Sequence, residues 1–210
     1  MRQLSTIFIL IFLILLVQIP SFSALKGGVN YSIPIEYKNL SEAELNEKAK
    51  YYFYLADKLE DGVVNEDMTN ALLLYSILEN VNPDNTEYCV RLGRLYDKIG
   101  KDRYAKGNFS RAIGINQNFP DSYFYFGEFY YKRQLYRQAL RYYKRALEHY
   151  KKPSYDLYYR LGDIYEKFGD TKSALKYLKL ASEQSPNPEL DNKIKYIETF
   201  DKANKTYYAE

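Results

Sequence analysis

Three ten-residue stretches of the chain share one pattern: RLGRLYDKIG at residues 91–100, YFGEFYYKRQ at 125–134 and RLGDIYEKFG at 160–169. The central glycines are 34 residues apart (93 to 127) and then 35 residues apart (127 to 162). Each glycine is followed three residues later by a tyrosine. Self-similarity at a period of about 20–50 residues indicates a repeat architecture built from one supersecondary unit. The sequence therefore predicts a stack of similar units, each about 34 residues long.

The second half of each unit carries a matching set of small and large apolar residues. An alanine follows each glycine by 12 residues, a large apolar residue by 16 and a second alanine by 19. Copy by copy, these residues are Ala105, Phe109 and Ala112; Ala139, Tyr143 and Ala146; and Ala174, Leu178 and Ala181. Small residues let two antiparallel helices approach closely, and the large residue fills the space between them. The second half of each unit therefore carries the small and large apolar residues that close helix packing requires.

These positions resemble the tetratricopeptide repeat (TPR) family, whose unit reads L-G-x2-Y, then A-x3-F, then A and P. The resemblance implies an all-α fold, a right-handed α-solenoid of about four helix pairs in a domain at residues 41–205. The repeats are expected at about 49–85, 86–119, 120–154 and 155–188. The first copy is the weakest, because the segment EDGVVNEDMT makes its inter-helix turn a few residues longer than usual.

Both ends of the repeat array carry helix-end signals. Ser41 and Glu44 form an S-x-x-E capping box that predicts the start of the first helix. Asn187 is predicted to cap a final helix at residues 188–203, with Pro188 at its first position. The apolar residues on one side of that helix are expected to cover the open edge of the last repeat. They are Leu190, Ile194, Ile197 and Phe200.

Residues 1–24 differ in composition from the rest of the chain. A basic Arg2, the apolar run IFILIFLILLV at 7–17 and the small residues SFSA form the pattern of a secretory signal peptide. The run is shorter than the roughly 20 residues that span a bilayer, but its extension over 4–19 leaves an uncleaved membrane anchor open. Residues 25–40 are predicted to be a linker. The domain is therefore expected outside the cytoplasm, in a periplasmic, extracellular or lumenal space, either released or membrane-anchored.

The TPR resemblance implies that the first helix of each pair lines a concave groove, which binds a peptide or a segment of a partner protein. The predicted partner-binding residues are Arg91, Arg94, Lys98, Phe124, Tyr125, Tyr131, Tyr159 and Arg160. One TPR subclass clamps chaperone carboxylates through an asparagine that is replaced here by Tyr54, Arg91, Tyr125 and Arg160, which disfavours that function. Arginine binds carboxylates through two N–H groups and tyrosine buries area at low entropic cost, so an acidic or aromatic-bearing peptide is predicted. The alternative, that these residues only pack and solvate the wall, stays open.

Charge is unevenly distributed along the chain. Residues 132–152 contain eight basic residues and one acid, whereas residues 41–67 contain eight acids and three lysines. The basic segment could meet anionic lipid, an acidic partner or the acidic end of a second copy, which leaves homo-oligomerisation open. A solvated helix face is the simpler interpretation of the same pattern.

The sequence offers little for catalysis. It has no phosphate-binding or nucleophile-elbow motif, and its one Cys (Cys89) and one His (His149) cannot build a metal site. We therefore predict no enzymatic activity, no cofactor and no metal, and Cys89 is expected to be a buried apolar residue. A formal net charge of +3 is too small to argue for nucleic acid on its own, and no nucleic-acid partner is predicted. The predicted function is a non-catalytic adaptor, with a glycan or small-ligand module that uses the tyrosine-rich groove as the alternative.

Overall fold

The computed structural model describes residues 34–207, with side chains described through residue 202. The chain divides into two units, residues 1–40 and residues 41–210. The described part of the first unit is a turn in which the Tyr37 amide donates to the Pro34 carbonyl at 2.8 Å. The predicted leader at residues 1–24 lies outside the described residues. No helix of the described part is both long and apolar enough to cross a membrane.

The described part of the second unit consists of nine α-helices without strands. They are α1 (Glu42–Asp57), α2 (Glu66–Val81), α3 (Thr86–Lys98), α4 (Asp102–Ile115), α5 (Pro120–Lys132), α6 (Tyr136–His149), α7 (Tyr155–Lys167), α8 (Thr171–Gln184) and α9 (Pro188–Tyr207). Each odd-numbered helix from α1 to α7 packs most extensively on the helix that follows it, which gives four successive pairs. The helix α9 packs on α8. The predicted all-α solenoid is thereby confirmed.

A glycine sets the distance between the helices in each of the last three pairs. A Cβ atom added at Gly127 would lie 2.6 Å from Cδ1 and Cε1 of Tyr143, and one at Gly162 would lie 2.6 Å from Cγ of Leu178. Gly93 meets the phenyl ring of its own pair in the same way. Carbon atoms make favourable contact at about 3.5–4.0 Å. Any side chain at these positions would therefore push the pair apart.

The small and large apolar residues of the repeat form the core, as the pattern predicts. All six repeat alanines are fully buried, and the large residues that follow the first alanine of each copy are buried with them. Cys89 is a buried free cysteine, and burial raises the pKa of its thiol to about 12. It is therefore a protonated core residue, as expected.

The predicted caps are present at both ends of the array. The Ser41 hydroxyl accepts from the Glu44 amide at 3.3 Å, and the Glu44 carboxylate accepts from the Ser41 amide at 2.8 Å. The Asn187 side-chain oxygen accepts from the Glu189 amide at 2.9 Å. These bonds satisfy amides at the helix starts that have no partner within the helix.

One prediction for α9 is wrong. Leu190, Ile194 and Ile197 are buried, but Phe200 is 57% exposed and stacks on Tyr196 with ring centres 6.5 Å apart. A helix turns by about 100° per residue, which places position 200 about 90° from the centre of the stripe formed by the three buried residues. Phe200 therefore lies beside the buried face of α9 and not within it.

The first helices of the pairs form the inner side of the solenoid. Helix α1 packs on α3, and α3 packs on α5, whereas the second helices make no comparable contact with one another within the described part of the chain. Closer approach on one side curves the stack, and the closer side is concave. Helices α1, α3, α5 and α7 thus line an inner surface, and α2, α4, α6 and α8 form the outer surface.

Candidate functional site

The eight predicted partner-binding residues lie on three of the inner helices. Three of them, Arg91, Arg94 and Lys98, belong to α3; three more, Phe124, Tyr125 and Tyr131, belong to α5; and Tyr159 and Arg160 belong to α7. The structure gathers most of them into two groups. We call the first the Arg94 cluster (Phe53, Asp57, Arg91, Arg94 and Tyr125) and the second the Arg160 cluster (Glu128, Tyr131, Tyr143, Arg160 and Asp163).

Arg94 connects three consecutive repeats. Its guanidinium carbon lies 4.6 Å from the ring centre of Phe53 on α1 and 4.2 Å from the ring centre of Tyr125 on α5. The Nη2 atom donates to Oδ1 of Asp57 at 2.9 Å. Cation–π contacts of this kind contribute about 0.5–2 kcal/mol each. Burial raises the pKa of Tyr125 in spite of the neighbouring guanidinium charge. Arg94 therefore fixes the relative positions of the first three repeats on their inner side.

The other two predicted cations of α3 are also bound within the chain. Arg91 lies 3.0 Å from Glu87, one helical turn earlier, and its guanidinium lies 4.6 Å from the Phe53 ring centre. The Lys98 ammonium donates to the main-chain oxygen of Asp57 at 2.9 Å and lies 3.6 Å from the Asp61 carboxylate. Arg91 is therefore bound to a neighbour within α3 and to Phe53 of α1, and Lys98 holds α3 against the first repeat.

The Arg160 cluster forms a second link, between α5, α6 and α7. Arg160 binds Glu128 through two bonds, Nε to Oε1 at 2.8 Å and Nη2 to Oε2 at 3.2 Å. The hydroxyl of the fully buried Tyr143 donates to the same carboxylate. The guanidinium also lies 4.4 Å from the Tyr131 ring centre. A paired arginine and carboxylate with this geometry forms a strong charge-assisted contact.

The titration properties of the Arg160 cluster follow from these bonds. Burial, together with the charge and hydrogen bonding of Glu128, raises the pKa of Tyr143 far above its usual value. Burial alone would lower the pKa of Arg160, but the Glu128 contacts outweigh it and raise that pKa. Burial would raise the pKa of Asp163, but the hydrogen bonds from Tyr131 and Lys167 outweigh it and lower that pKa below 3.8. Arg160 and Asp163 are thus engaged as charged groups at neutral pH.

Phe124 and Tyr159 lie outside the two clusters. Phe124 packs against the rings of Tyr125 and Tyr143, with centres 5.1 and 5.9 Å apart, so it is part of the wall itself. Tyr159 stacks on Tyr155 at 5.9 Å, and the Lys193 ammonium lies 5.7 Å from its ring centre. The sequence predicted α9 only as an edge cover, and this contact shows that α9 also reaches the end of the inner surface.

An ion-pair chain that sequence reasoning missed runs across the first three repeats. The Lys132 ammonium lies 3.5 Å from Asp61 and 3.3 Å from Asp97. The Arg133 guanidinium lies 2.7 Å from the Asp97 carboxylate and 2.5 Å from the Asp102 carboxylate, and it links the two. These partners are 31 to 71 residues apart along the chain, so no local pattern reveals them. The only available signal is the repeat period, which places similar positions of successive repeats side by side.

The part of the inner surface formed by α3, α5 and α7 is therefore nearly neutral and internally paired. Each basic residue of α3, α5 and α7 has a carboxylate within 4.0 Å; the six are Arg91, Arg94, Lys98, Lys132, Arg160 and Lys167. An acidic ligand would have to share or displace these carboxylates. Within residues 34–202 no group of His, Cys, Asp and Glu side chains could hold a metal ion.

Comparison with known proteins agrees with this architecture. Residues 127–188 match the family model of the tetratricopeptide repeat. Among solved structures, the chain resembles YrrB, described as a TPR protein with an unusual peptide-binding site, with a TM-score of 0.52 and 22% identity. The match covers 54% of this chain and 58% of YrrB, so it spans little more than half of that protein.

Two further solved structures match over more of the chain. TTC0263, a thermophilic TPR protein from Thermus thermophilus, gives a TM-score of 0.58 at 17% identity and covers 77% of this chain and 84% of its own. The pilF protein of Pseudomonas aeruginosa gives a TM-score of 0.59 at 12% identity, with 76% and 72% covered. No curated protein matches the sequence. At these identities the resemblance concerns the fold.

Proposed function

We propose that this chain, which matches the tetratricopeptide-repeat model over residues 127–188, is a non-catalytic scaffold that binds a peptide segment of a partner protein along its inner surface. The observation that carries the proposal is the rigid arrangement of arginines on aromatic rings in that surface. Arg94 is held by Phe53, Tyr125 and Asp57, and Arg160 by Tyr131 and Glu128. A surface that is ordered before binding loses less conformational entropy when the ligand arrives.

The same arrangement indicates the chemistry of the peptide. A guanidinium has five N–H donors, and the side chain of Arg94 uses one of them on Asp57. The remaining donors suit main-chain carbonyl oxygens and side-chain oxygens of an extended segment. Because the cations of this surface are already paired, we propose a segment with aromatic side chains and mixed charge in preference to a strongly acidic one.

A glycan ligand is less well supported by this surface. Sugars stack on the open faces of aromatic rings, and two of the predicted ring faces are occupied by guanidinium groups. Arg94 lies over Tyr125 at 4.2 Å, and Arg160 lies over Tyr131 at 4.4 Å. A peptide can use the ring edges and the arginine donors without uncovering either ring, so peptide binding is the function that we propose.

The proposal is tested by selecting peptides from a displayed random library on the full chain in neutral detergent, followed by fluorescence anisotropy with the selected peptides. Replacement of Tyr125 and Tyr159 by alanine should weaken binding about tenfold or more, since buried tyrosines dominate interface energies. Tyr104→Ala is the matched control, because Tyr104 is equally half-buried but lies on the outer helix α4. An inability to select peptides, or equal loss in the control, would refute the proposal.

We also propose that the repeat domain works outside the cytoplasm or at a membrane surface. The support is the sequence of residues 1–24, with its apolar run and small-residue end. Sequencing the N-terminus of the native protein distinguishes the two forms: a start near Ala24 indicates release, and an intact Met1 indicates an anchor. Protease digestion of the repeat domain in intact cells or sealed vesicles would show on which side it lies, and a cytoplasmic domain would overturn the proposal.

A further inference from the structure

The inner and outer surfaces of the last three repeats differ in how their charges are compensated. The outer helices α4, α6 and α8 contain ten basic residues against three acids, whereas the inner helices α3, α5 and α7 contain six against seven. On the inner side every one of the six has an ion-pair partner. On the outer side only three have one: Arg111 with Glu79, Arg145 with Glu148 and Lys179 with Glu198.

The remaining seven cations of the outer helices are exposed and have no carboxylate within ion-pair distance in the described part of the chain. They are Arg103, Lys106, Arg137, Arg141, Lys144, Lys172 and Lys176. Several are four residues apart in one helix, such as Arg137 with Arg141 and Lys172 with Lys176. Like charges at this spacing destabilise a helix. The chain thus accumulates uncompensated positive charge on this surface at a cost to its own helices.

The spacing of these cations distributes positive charge over the outer surface in two directions, along each helix and from one helix to the next. Residues three and four apart lie on the same face of a helix, so each of the three helices presents its cations as one stripe. The helices follow one another along the outer side of the solenoid, so each adds its stripe to the same outer surface. A peptide or another linear ligand would engage one stripe or one groove, whereas three stripes can engage an extended anionic plane together.

Half-buried tyrosines lie among the cations. Arg141 lies 5.1 Å from the Tyr142 ring centre, Lys144 lies 5.6 Å from that of Tyr165, and Lys176 lies 5.3 Å from that of Tyr177. Tyrosine rings with a polar hydroxyl are favoured at the boundary between water and lipid. Basic residues interspersed with tyrosine are thus suited to the headgroup region of a bilayer.

We propose that the outer surface formed by α4, α6 and α8 docks on a bilayer of anionic lipids. Clusters of lysine and arginine bind such bilayers through their surface potential, by about fivefold in affinity for each basic residue near the surface. The apolar leader predicted from residues 1–24 would keep the domain close to a bilayer. This orientation leaves the inner surface turned away from the lipid and free to hold a peptide, and it does not depend on the peptide-binding proposal.

The test compares partition of the full chain into neutral phosphatidylcholine vesicles and into vesicles that contain about 30% phosphatidylglycerol, a content that gives a negative surface potential. The leader contributes equally to both, so the ratio isolates the effect of charge. The wild-type ratio should be large at low salt and should fall toward one as salt is raised, because salt screens the surface potential. The triple variant Arg137→Gln, Arg141→Gln, Lys144→Gln should lower the ratio about 100-fold, from fivefold for each cation.

A second triple variant with the same change in net charge is the control. Lys48→Gln, Lys50→Gln and Lys195→Gln replace exposed lysines on α1 and α9, and this variant should keep the wild-type ratio. A wild-type ratio near one, or an equal loss in both triple variants, would overturn the proposal. A third outcome would also overturn the proposal: the chain binds poly-glutamate in a way that depends on Arg137, Arg141 and Lys144, but it shows no preference for anionic vesicles. That outcome would indicate an acidic protein partner. Peptide binding by the inner surface should be unchanged in the variant of Arg137, Arg141 and Lys144.

Discussion

Replacement of Gly162 by alanine should destabilise the fold, although alanine is the better helix former. A Cβ at this position would lie 2.6 Å from Cγ, 2.7 Å from Cδ2 and 3.1 Å from the main-chain nitrogen of Leu178. The side chain of Leu178 is fully buried, and the main-chain atom belongs to α8. The helices α7 and α8 must therefore move apart by several tenths of an ångström to about one ångström to restore normal carbon contacts.

The expected magnitude comes from two opposing effects. Insertion of a methyl group into a packed core costs about 1–3 kcal/mol, and alanine in place of glycine within a helix returns about 0.5–1 kcal/mol. The net cost for Gly162→Ala is then about 1–2 kcal/mol. Gly107→Ala is the matched control, because Gly107 lies inside α4 and an added Cβ would meet nothing within 4 Å. This second substitution should stabilise the protein by about 0.5–1 kcal/mol.

Urea denaturation followed by far-ultraviolet circular dichroism measures both variants on the full chain. The slope of the free energy against urea should stay unchanged while the midpoints move in opposite directions. The two variants should differ in stability by about 1.5–3 kcal/mol and therefore in melting temperature by about 3–12 °C, at roughly 2–4 °C for each kcal/mol in a chain of this size. If Gly162→Ala proved as stable as the wild type or as Gly107→Ala, close helix approach could not be the reason for this glycine.

Three further changes test the contacts of the inner surface. Tyr143→Phe should lower the free energy of unfolding by about 1–2 kcal/mol, because it removes a buried donor from Glu128, and urea titration would contradict this if the midpoint did not fall. Arg133→Met should lower the free energy of unfolding by about 1–2 kcal/mol, because Asp102 loses its arginine and the buried Asp97 is left with Lys132 alone; an unchanged melting temperature would refute it. The pKa of Asp163 is lowered in the folded state, so its stabilisation is complete above its ordinary pKa of 3.8 and is lost as pH falls through the lowered value. The stability difference between wild type and Asp163→Asn should therefore shrink below about pH 3.8 in pH-dependent thermal melts, and a difference that is constant with pH would contradict this assignment.

The fold could be predicted from the sequence because its determinants are local and repeated. Each unit contains the whole pattern: a glycine, a tyrosine three residues later and two spaced alanines. Three units repeat this pattern. The packing of Gly127 on Tyr143 and of Gly162 on Leu178 follows the same rule. The exposure of Phe200 was not predicted, because the final helix has no second copy in the sequence for comparison. Only the angle between positions on a helix could have indicated it.

The candidate site was less predictable, since its character depends on contacts between repeats. Arg94 and Arg160 lie on the first helices of their pairs, as the repeat pattern predicts. The pattern does not show that carboxylates of the chain itself already bind their guanidinium groups. Their partners Asp57 and Glu128 lie 37 and 32 residues earlier in the chain. The distance resembles the repeat period, yet which of several acids in the preceding repeat becomes the partner depends on the curvature and twist of the stack. Those quantities are properties of the assembled solenoid and not of any one segment.

The residue that follows the repeat glycine, or Ala56 in the first repeat, changes sign of charge between the first three units. It is Asp57, then Arg94, then Glu128 and then Asp163. Arg94 pairs with Asp57 in the preceding unit. Removal of the second unit would bring Asp57 opposite Glu128, and two carboxylates that face each other repel. Loss of the second unit by recombination would therefore remove the compensating cation and leave two carboxylates together on the inner surface, so the first three units are not interchangeable.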